Sequence, residues 1–237
     1  MQFWSLNGLS DYDAVREFQL KLVELRSQDM IEDTVLFLEH QPVITRGRGL
    51  QFTGASSQPK SRHMPITQPL PEGIRLVESE RGGDLTYHGP GQLVIYPICK
   101  MDGSGFAPNH DVEGFLRKLE NIVIDELGER GLTAHLREKA TGVWVGEKKI
   151  ASMGIAVRKW VSYHGIAINC VNDLRPFHLI SPCGFSSDIM TRLSDCLPPT
   201  ALATDRWRSE LEQALARRMG AGPVKELASI ASYSDLI

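Results

Sequence analysis

Residues 142–171 read GVWVGEKKIASMGIAVRKWVSYHGIAINCV. Short turns around 146–148 and 159–160 cut the run into GVWVG, KIASMGIAVRK and VSYHGIAINCV, in which apolar residues recur with a period near two. Side chains of a strand alternate between faces, so the pattern predicts an antiparallel meander. Lys148 and Lys149 open the second strand, and the same alternation sends their side chains in opposite directions, so that one can face inward.

Working back toward the N-terminus, TVLFLEH (34–40) is apolar nearly throughout and rich in β-formers, as a strand buried on both faces would be. GIRLVES (73–79) and LVIYPI (93–98) are expected as further core strands. Residues 10–26 start with Ser10-Asp11-Tyr12-Asp13, in the manner of a capping box, and carry Val15, Phe18, Leu22 and Leu25 at helical spacing. A second helix is predicted from Asp111 to Arg130, with Phe115, Leu119, Ile122 and Val123 on one face and Gly131 as its stop. A last helix is predicted from Thr204 to Met219, burying Trp207, Leu211 and Leu215 and ending at Gly220. Residues 50–72, rich in Ser, Gln, Pro and Gly without periodicity, read as a long surface loop. Helices and mixed strands in this order predict an α/β (α+β) fold, mixed sheets flanked by helices, in a single domain over residues 1–237.

Composition narrows the function classes. With 42% hydrophobic and 23% charged residues, the 237-residue chain can bury a sizeable core. A net charge of −3 lacks the basic excess of a nucleic-acid binder. Met1-Gln2-Phe3-Trp4 has neither the basic flank nor the apolar core of a signal peptide, and no apolar run is long enough to span a bilayer. A cytoplasmic protein with no nucleic-acid or membrane partner is expected. Cys99, Cys170, Cys183 and Cys196 lie 13 or more residues apart, without the C-x-x-C spacing of a zinc site, and no H-x-x-H or H-E-x-x-H motif occurs. No metal is expected.

Three stretches carry candidate chemistry. RGGDLTYHGPGQL (81–93) holds four glycines, which let backbone approach a bound group closely, together with Arg81 and His88 as donors. It has neither a P-loop nor a dinucleotide-binding pattern, and a plain hairpin loop is the competing account. In SPCG (181–184), Cys183 sits between a proline and a glycine, where a thiol can be presented on a constrained turn; the other three cysteines read as small buried hydrophobes. An inward Lys149 near a thiol would matter, since an unperturbed cysteine with a pKa of about 8.5 is only a few per cent thiolate at pH 7. Residues 137–159 carry Arg137, Lys139, Lys148, Lys149, Arg158 and Lys159 against Glu138 and Glu147, either a docking face for an acidic partner or a solvated strand surface.

FLEHQPVITRGRG (37–49), RGGDLTYHGPGQLVIYPI (81–98) and the run from Thr141 to Gly184 that ends in SPCG together resemble the octanoyltransferases of lipoate biosynthesis, the lipoyl(octanoyl) transferases. The resemblance covers about residues 3 to 220 and leaves the tail without a signal. It implies the biotin and lipoate protein ligase fold and one catalytic domain. It implies that Cys183 carries the acyl group as a thioester and that Lys149 lowers its pKa. It further implies an acyl site lined by Arg81, Gly82, Gly83, Asp84, Leu85, Thr86, Tyr87 and His88, by Ser152, Met153 and Gly154, and by Gly165, Ile166 and Ala167. The donor would be octanoyl-acyl carrier protein. The acceptors would be lysines of the lipoyl domains of 2-oxoacid dehydrogenase complexes and of the glycine cleavage H protein. The enzyme would be a monomer that needs no cofactor. His40 and His164 divide evenly between a site role and a structural one, whereas His135 and His178 read as bland. TRGRG (45–49) keeps an ATP-dependent lipoate or biotin ligase open as the alternative, although such a ligase would not require Cys183.

Overall fold

The computed structural model describes residues 1–49, 69–138, 140–180, 189–202, 206–228 and 230. In chain order its elements are β1 (Gln2–Ser10), α1 (Tyr12–Ser27), β2 (Thr34–His40), β3 (Val43–Arg46), β4 (Arg75–Glu78), β5 (Leu85–His88), β6 (Gln92–Ile98) and α2 (Val112–Glu129). There follow β7 (Ala134–Arg137), β8 (Ala140–Val145), β9 (Lys148–Arg158), β10 (Val161–Asn169), the short α3 (Leu193–Cys196), α4 (Trp207–Met219) and β11 (Val224–Leu227).

The strands form an eight-stranded sheet in the order β11-β1-β2-β6-β10-β9-β8-β7 and a three-stranded sheet in the order β4-β3-β5. The meander is its β8-β9-β10 part, paired antiparallel as the alternation predicts. On β2, Val35 and Phe37 pack on one face while Leu36 and Leu38 pack on the other; on β6, Leu93 and Ile95 divide from Val94 and Tyr96 in the same way. The first face is closed by α2 and α4 through Phe115, Leu119, Leu211 and Leu215, and the second by α1 through Val15, Phe18 and Leu22. Burial on both faces is why these strands are apolar throughout.

The caps follow the sequence. Asp11 accepts from the Ala14 amide (3.0 Å) and Asp111 from the Gly114 amide (2.8 Å), each satisfying one of the unpaired amides of a helix start. The described part of α4 begins at Trp207, which is half-buried; Thr204 lies outside the described residues, as do residues 50–68 of the expected loop. Two expectations change. Residues 75–78 are not a core strand, because β4 is the edge of the small sheet and its side chains are exposed or half-buried. The glycine-rich 81–93 stretch is not a loop throughout, since Leu85–His88 is a buried strand paired with β3. Strands β1, β3, β7 and β11 carry no clear period-two signal and are additions. Among the described residues no helix is long and apolar enough to cross a membrane.

Phe37 is fully buried and its ring stacks on Phe3 at 6.4 Å, whereas Leu9 on β1 is 47% exposed. Phe37→Ala is expected to lower the unfolding free energy by about 3–5 kcal/mol in urea melts, and Leu9→Ala by less than about 0.5 kcal/mol. Equal effects would contradict this assignment of the core.

Candidate active site

A cavity opens between the small sheet and the middle of the large one. Its walls are Arg81, Gly83, Leu85, Thr86 and His88 on one side and Lys149, Ser152, Met153 and Gly154 on the other. Gly165, Ile166 and Ala167 of β10 form the floor, and Tyr12, Tyr96 and His164 complete it.

Lys149 is 5% exposed while Lys148 is exposed, so the inward lysine is the second of the pair. Its direction is set by a break in register: Trp144 pairs with Lys149 but Val143 pairs with Ala151, leaving Ile150 as the extra residue of a bulge. The Lys149 ammonium lies 5.8 Å from the centre of the Trp144 ring. Gly142 makes room for it, because a Cβ there would stand 2.4 Å from Lys149 Cε, and its φ of +122° is one that side chains rarely adopt. The Lys149 carbonyl accepts from the Thr191 amide at 2.9 Å, so the strand start is also pinned by the chain that follows residue 188.

Segment 81–83 crosses the part of β9 that β8 leaves uncovered, where the Gly82 amide donates to the Ile155 carbonyl (2.9 Å). A Cβ on Gly154 would lie 2.5 Å from the Gly82 oxygen, so this crossing requires glycine. Arg81, 8% exposed, braces the segment: its guanidinium donates to Thr45 Oγ1, to the Thr45 carbonyl and to the carbonyls of Gly82 and Asp84, at 2.7 to 3.1 Å. Gly82 and Asp84 therefore shape the wall without lining the cavity. Tyr87 turns away to pack edge-on against Phe177 at 5.6 Å.

Three histidines and two tyrosines cluster here. His40 donates from Nδ1 to the Ser10 carbonyl (3.1 Å), and Tyr96 O–H donates to its Nε2 (2.8 Å), so this ring is structural. His164 is 1% exposed, sits at φ +57° inside β10, and carries two ring nitrogens without a hydrogen bond; its Nε2 is 3.5 Å from the Glu80 carboxylate. Thr86 Oγ1 is likewise buried without a partner among the described residues. Buried polar atoms are nearly always bonded, so unfilled ones on a cavity wall mark where a ligand's polar atoms would go. His164, Tyr12 and Tyr96 were not among the expected lining residues; the left-handed backbone of His164 leaves no trace in residue type. Among the described residues no group of three His, Cys, Asp or Glu side chains is arranged to hold a metal ion.

Cys183, with Ser181, Pro182 and Gly184, lies outside the described residues. Cys99 and Cys170 are fully buried, and burial pushes the Cys170 thiol up to about 12, which makes it inert. The basic run 137–159 is not one exposed patch: Lys149 is buried, Lys159 pairs with Glu24 at 2.8 Å and Arg137 pairs with Glu147, while Lys139 lies outside the described residues.

Burial pushes the His40 pKa from 6.5 down to about 4. Between these values the unfolded chain holds the extra proton and the folded one does not, so stability falls as pH drops from 6.5 toward 4. Thermal melts are expected to show this decline, with a shallower slope in His40→Gln. An identical slope in the variant would mean that other groups carry the acid sensitivity.

Comparison with known proteins adds an independent line. Residues 11–216 match the lipoyl protein ligase A/B catalytic domain family. The octanoyltransferase of Syntrophobacter fumaroxidans is 41% identical over 202 residues, which cover 85% of this chain and 84% of that one. The octanoyltransferase of Geobacter metallireducens is 38% identical over 190 residues, covering 80% and 81%. Among solved structures, a lipoate-protein ligase A with bound ATP superposes with a TM-score of 0.67 at 16% identity, over 100% of this chain and 94% of that one. A bipartite lipoate protein ligase from Thermoplasma acidophilum gives 0.63 at 15%, over 100% and 92%. At such identities the structural likeness concerns the fold alone.

Proposed function

Since this chain belongs to the lipoyl protein ligase A/B catalytic domain family, we propose that it is an octanoyltransferase that moves the acyl group through a thioester on Cys183. One observation carries the reading: a buried lysine, Lys149, opens onto a cavity built from the glycine-rich 81–88 segment and the two central meander strands. A second supports the partnership of Lys149 with Cys183. The chain resumes beyond the undescribed segment by pairing Met190 with Lys149, and Cys183 stands seven residues before Met190 in sequence.

The reaction has two halves. The Cys183 thiolate, favoured by the nearby Lys149 ammonium, attacks the thioester of an octanoyl-acyl carrier protein, and the carrier thiol leaves with a proton. A lysine ε-amine of a lipoyl domain then attacks the acyl-enzyme. With an ordinary pKa near 10.4 that amine arrives mostly protonated, and Lys149, having given its proton to the departing carrier thiol, takes one from it; as the C–S bond breaks, Cys183 leaves as the thiolate and the second amine proton passes to solvent. Backbone N–H groups stabilise the tetrahedral oxyanion. Thioester exchange is nearly balanced and amide formation is downhill, so the transfer needs neither ATP nor a metal. The acceptors are the lipoyl domains of 2-oxoacid dehydrogenase complexes and the glycine cleavage H protein, and the enzyme works in the cytoplasm as a monomer of one catalytic domain.

Incubation with octanoyl carrier protein, without acceptor or ATP, is expected to add the mass of one octanoyl group in a hydroxylamine-labile bond that Cys183→Ala abolishes. An adduct that survives in Cys183→Ala, or transfer from free octanoate that appears only with ATP, would sink the reading.

Lys149→Ala is expected to slow alkylation of Cys183 at pH 7 and to regain most of the rate above about pH 8.5, where an unassisted thiol ionises. Gly142→Ala, whose new methyl would collide with the Lys149 side chain, is expected to copy that defect. The two should not be additive when combined. Additive losses would separate Gly142 from the lysine.

A further inference from the structure

Gln92 opens β6 and is 1% exposed. Its amide orientation is fixed by the backbone: Nε2 donates to the Tyr87 carbonyl (3.1 Å) and to Asn169 Oδ1 (2.9 Å). A carbonyl only accepts, so the amide nitrogen faces it and Oε1 is the atom 2.8 Å from His88 Nδ1. Asn169 is fixed in the same way, its Nδ2 donating to the Thr191 carbonyl (3.0 Å) while its Oδ1 also accepts from Asn172 Nδ2 (3.1 Å). The Thr191 amide in turn donates to Lys149. This chain of bonds is anchored on backbone at both ends, and no member can turn round without losing a partner.

Against an oxygen that only accepts, His88 must carry a proton on Nδ1. The groups around it are His40 of β2 with ring centres 5.6 Å apart, Tyr12 of α1 at 6.2 Å, Arg81 before β5 and His164 of β10. Burial and the positive charge of Arg81 both oppose a second proton, so the ring is neutral and Nε2 is a bare lone pair. His40 has the same tautomer, but Tyr96 O–H closes its Nε2. Among the described residues no hydrogen bond reaches that of His88, and the ring lines the cavity.

A lone pair cannot stabilise an oxyanion or a thioester carbonyl, since both need donors. It requires an N–H or O–H, and of the groups that react in the transfer described above only the acceptor amine brings one to the acyl-enzyme. We propose that Gln92 is a positioning residue that holds His88 as the Nδ1–H tautomer, so that His88 Nε2 accepts a hydrogen bond from the incoming lysine amine. This rests on the acyl-transfer reading. The bond aims the amine nitrogen while its departing proton goes to Lys149.

Two measurements test it. Long-range proton–nitrogen spectra of histidine-labelled protein, with His88 identified by its loss in His88→Gln, are expected to show an Nδ1–H, unprotonated Nε2 ring at pH 7. In Gln92→Met that pattern should blur into a mixture of tautomers. Gln92→Glu sets a carboxylate against Nδ1–H and raises the pH at which the ring takes its second proton. The acidic limb of octanoyl transfer from preformed acyl-enzyme to a lipoyl domain should then move up by about one pH unit or more. Loading of Cys183 in the same wild-type samples, followed by mass, tests the acyl-transfer reading separately. Normal loading with an unmoved limb in Gln92→Glu would overturn the inference. So would an Nε2–H ring or an imidazolium at pH 7 in the wild-type protein, a result that stands even if the Glu variant fails to fold.

Discussion

The site depends on bringing one charged side chain between two packed strands. Lys149 can enter the cavity only because position 142 lacks a Cβ and the β8–β9 ladder slips by one residue at Ile150. That slip leaves Ile150 in the core next to a lysine that is also buried. A second buried charge holds Gly142: its amide donates to Glu120 Oε1 (2.6 Å), and Glu120, fully buried, is paired with Arg117 at 2.7 Å. A carboxylate so placed fixes the one glycine against which the lysine lies, so α2 takes part in the site without touching the cavity.

The polar groups around the cavity divide into those already used by the fold and those left open. Arg81 commits its donors to Thr45, Gly82 and Asp84, and His40 both of its nitrogens to Ser10 and Tyr96. These would move little on ligand binding. Among the described residues, Thr86 Oγ1 and His88 Nε2 have no hydrogen-bond partner, and the His164 ring has only the approach of Glu80 at 3.5 Å. Sequence reasoning placed Arg81 among the substrate donors because an arginine in a glycine-rich stretch suggests a free charge. Its commitment to carbonyls several residues away could not be read from residue type.

Other features were legible for physical reasons. Period-two alternation exposed the meander and the opposed directions of Lys148 and Lys149, and continuous apolar runs exposed β2 and β6, because strand geometry is local. The Ser10–Asp13 start announced α1 through its capping signal and the apolar spacing from Phe115 to Val123 announced α2, both of them local as well. What escaped was non-local. Strand β1 pairs in parallel with both β2 and β11, and parallel partners are joined by long crossovers that leave no turn signature between them. Strand β5 was hidden by the glycines on either side of it. Of the expected acyl-site residues, most line one cavity while Gly82, Asp84 and Tyr87 support it from behind.

The fold is shared with a lipoate-protein ligase A solved with bound ATP, so it cannot by itself decide how the acyl group is activated; the distribution of charge around the cavity bears on that. Binding a nucleotide's phosphates calls for cationic or N–H donors that are free to turn toward them. Here the buried arginine at the cavity edge is bound to protein carbonyls, the neutral His88 presents a lone pair, and Lys149 is the other cation of the lining. A lone pair repels a phosphate oxygen and attracts an amine hydrogen. Lys149 apart, the lining among the described residues therefore suits a neutral thioester and an arriving amine better than an acyl-adenylate, and it does so through the same hydrogen-bonded chain, from Tyr87 through Gln92, Asn169 and Thr191, that ends on the backbone of Lys149.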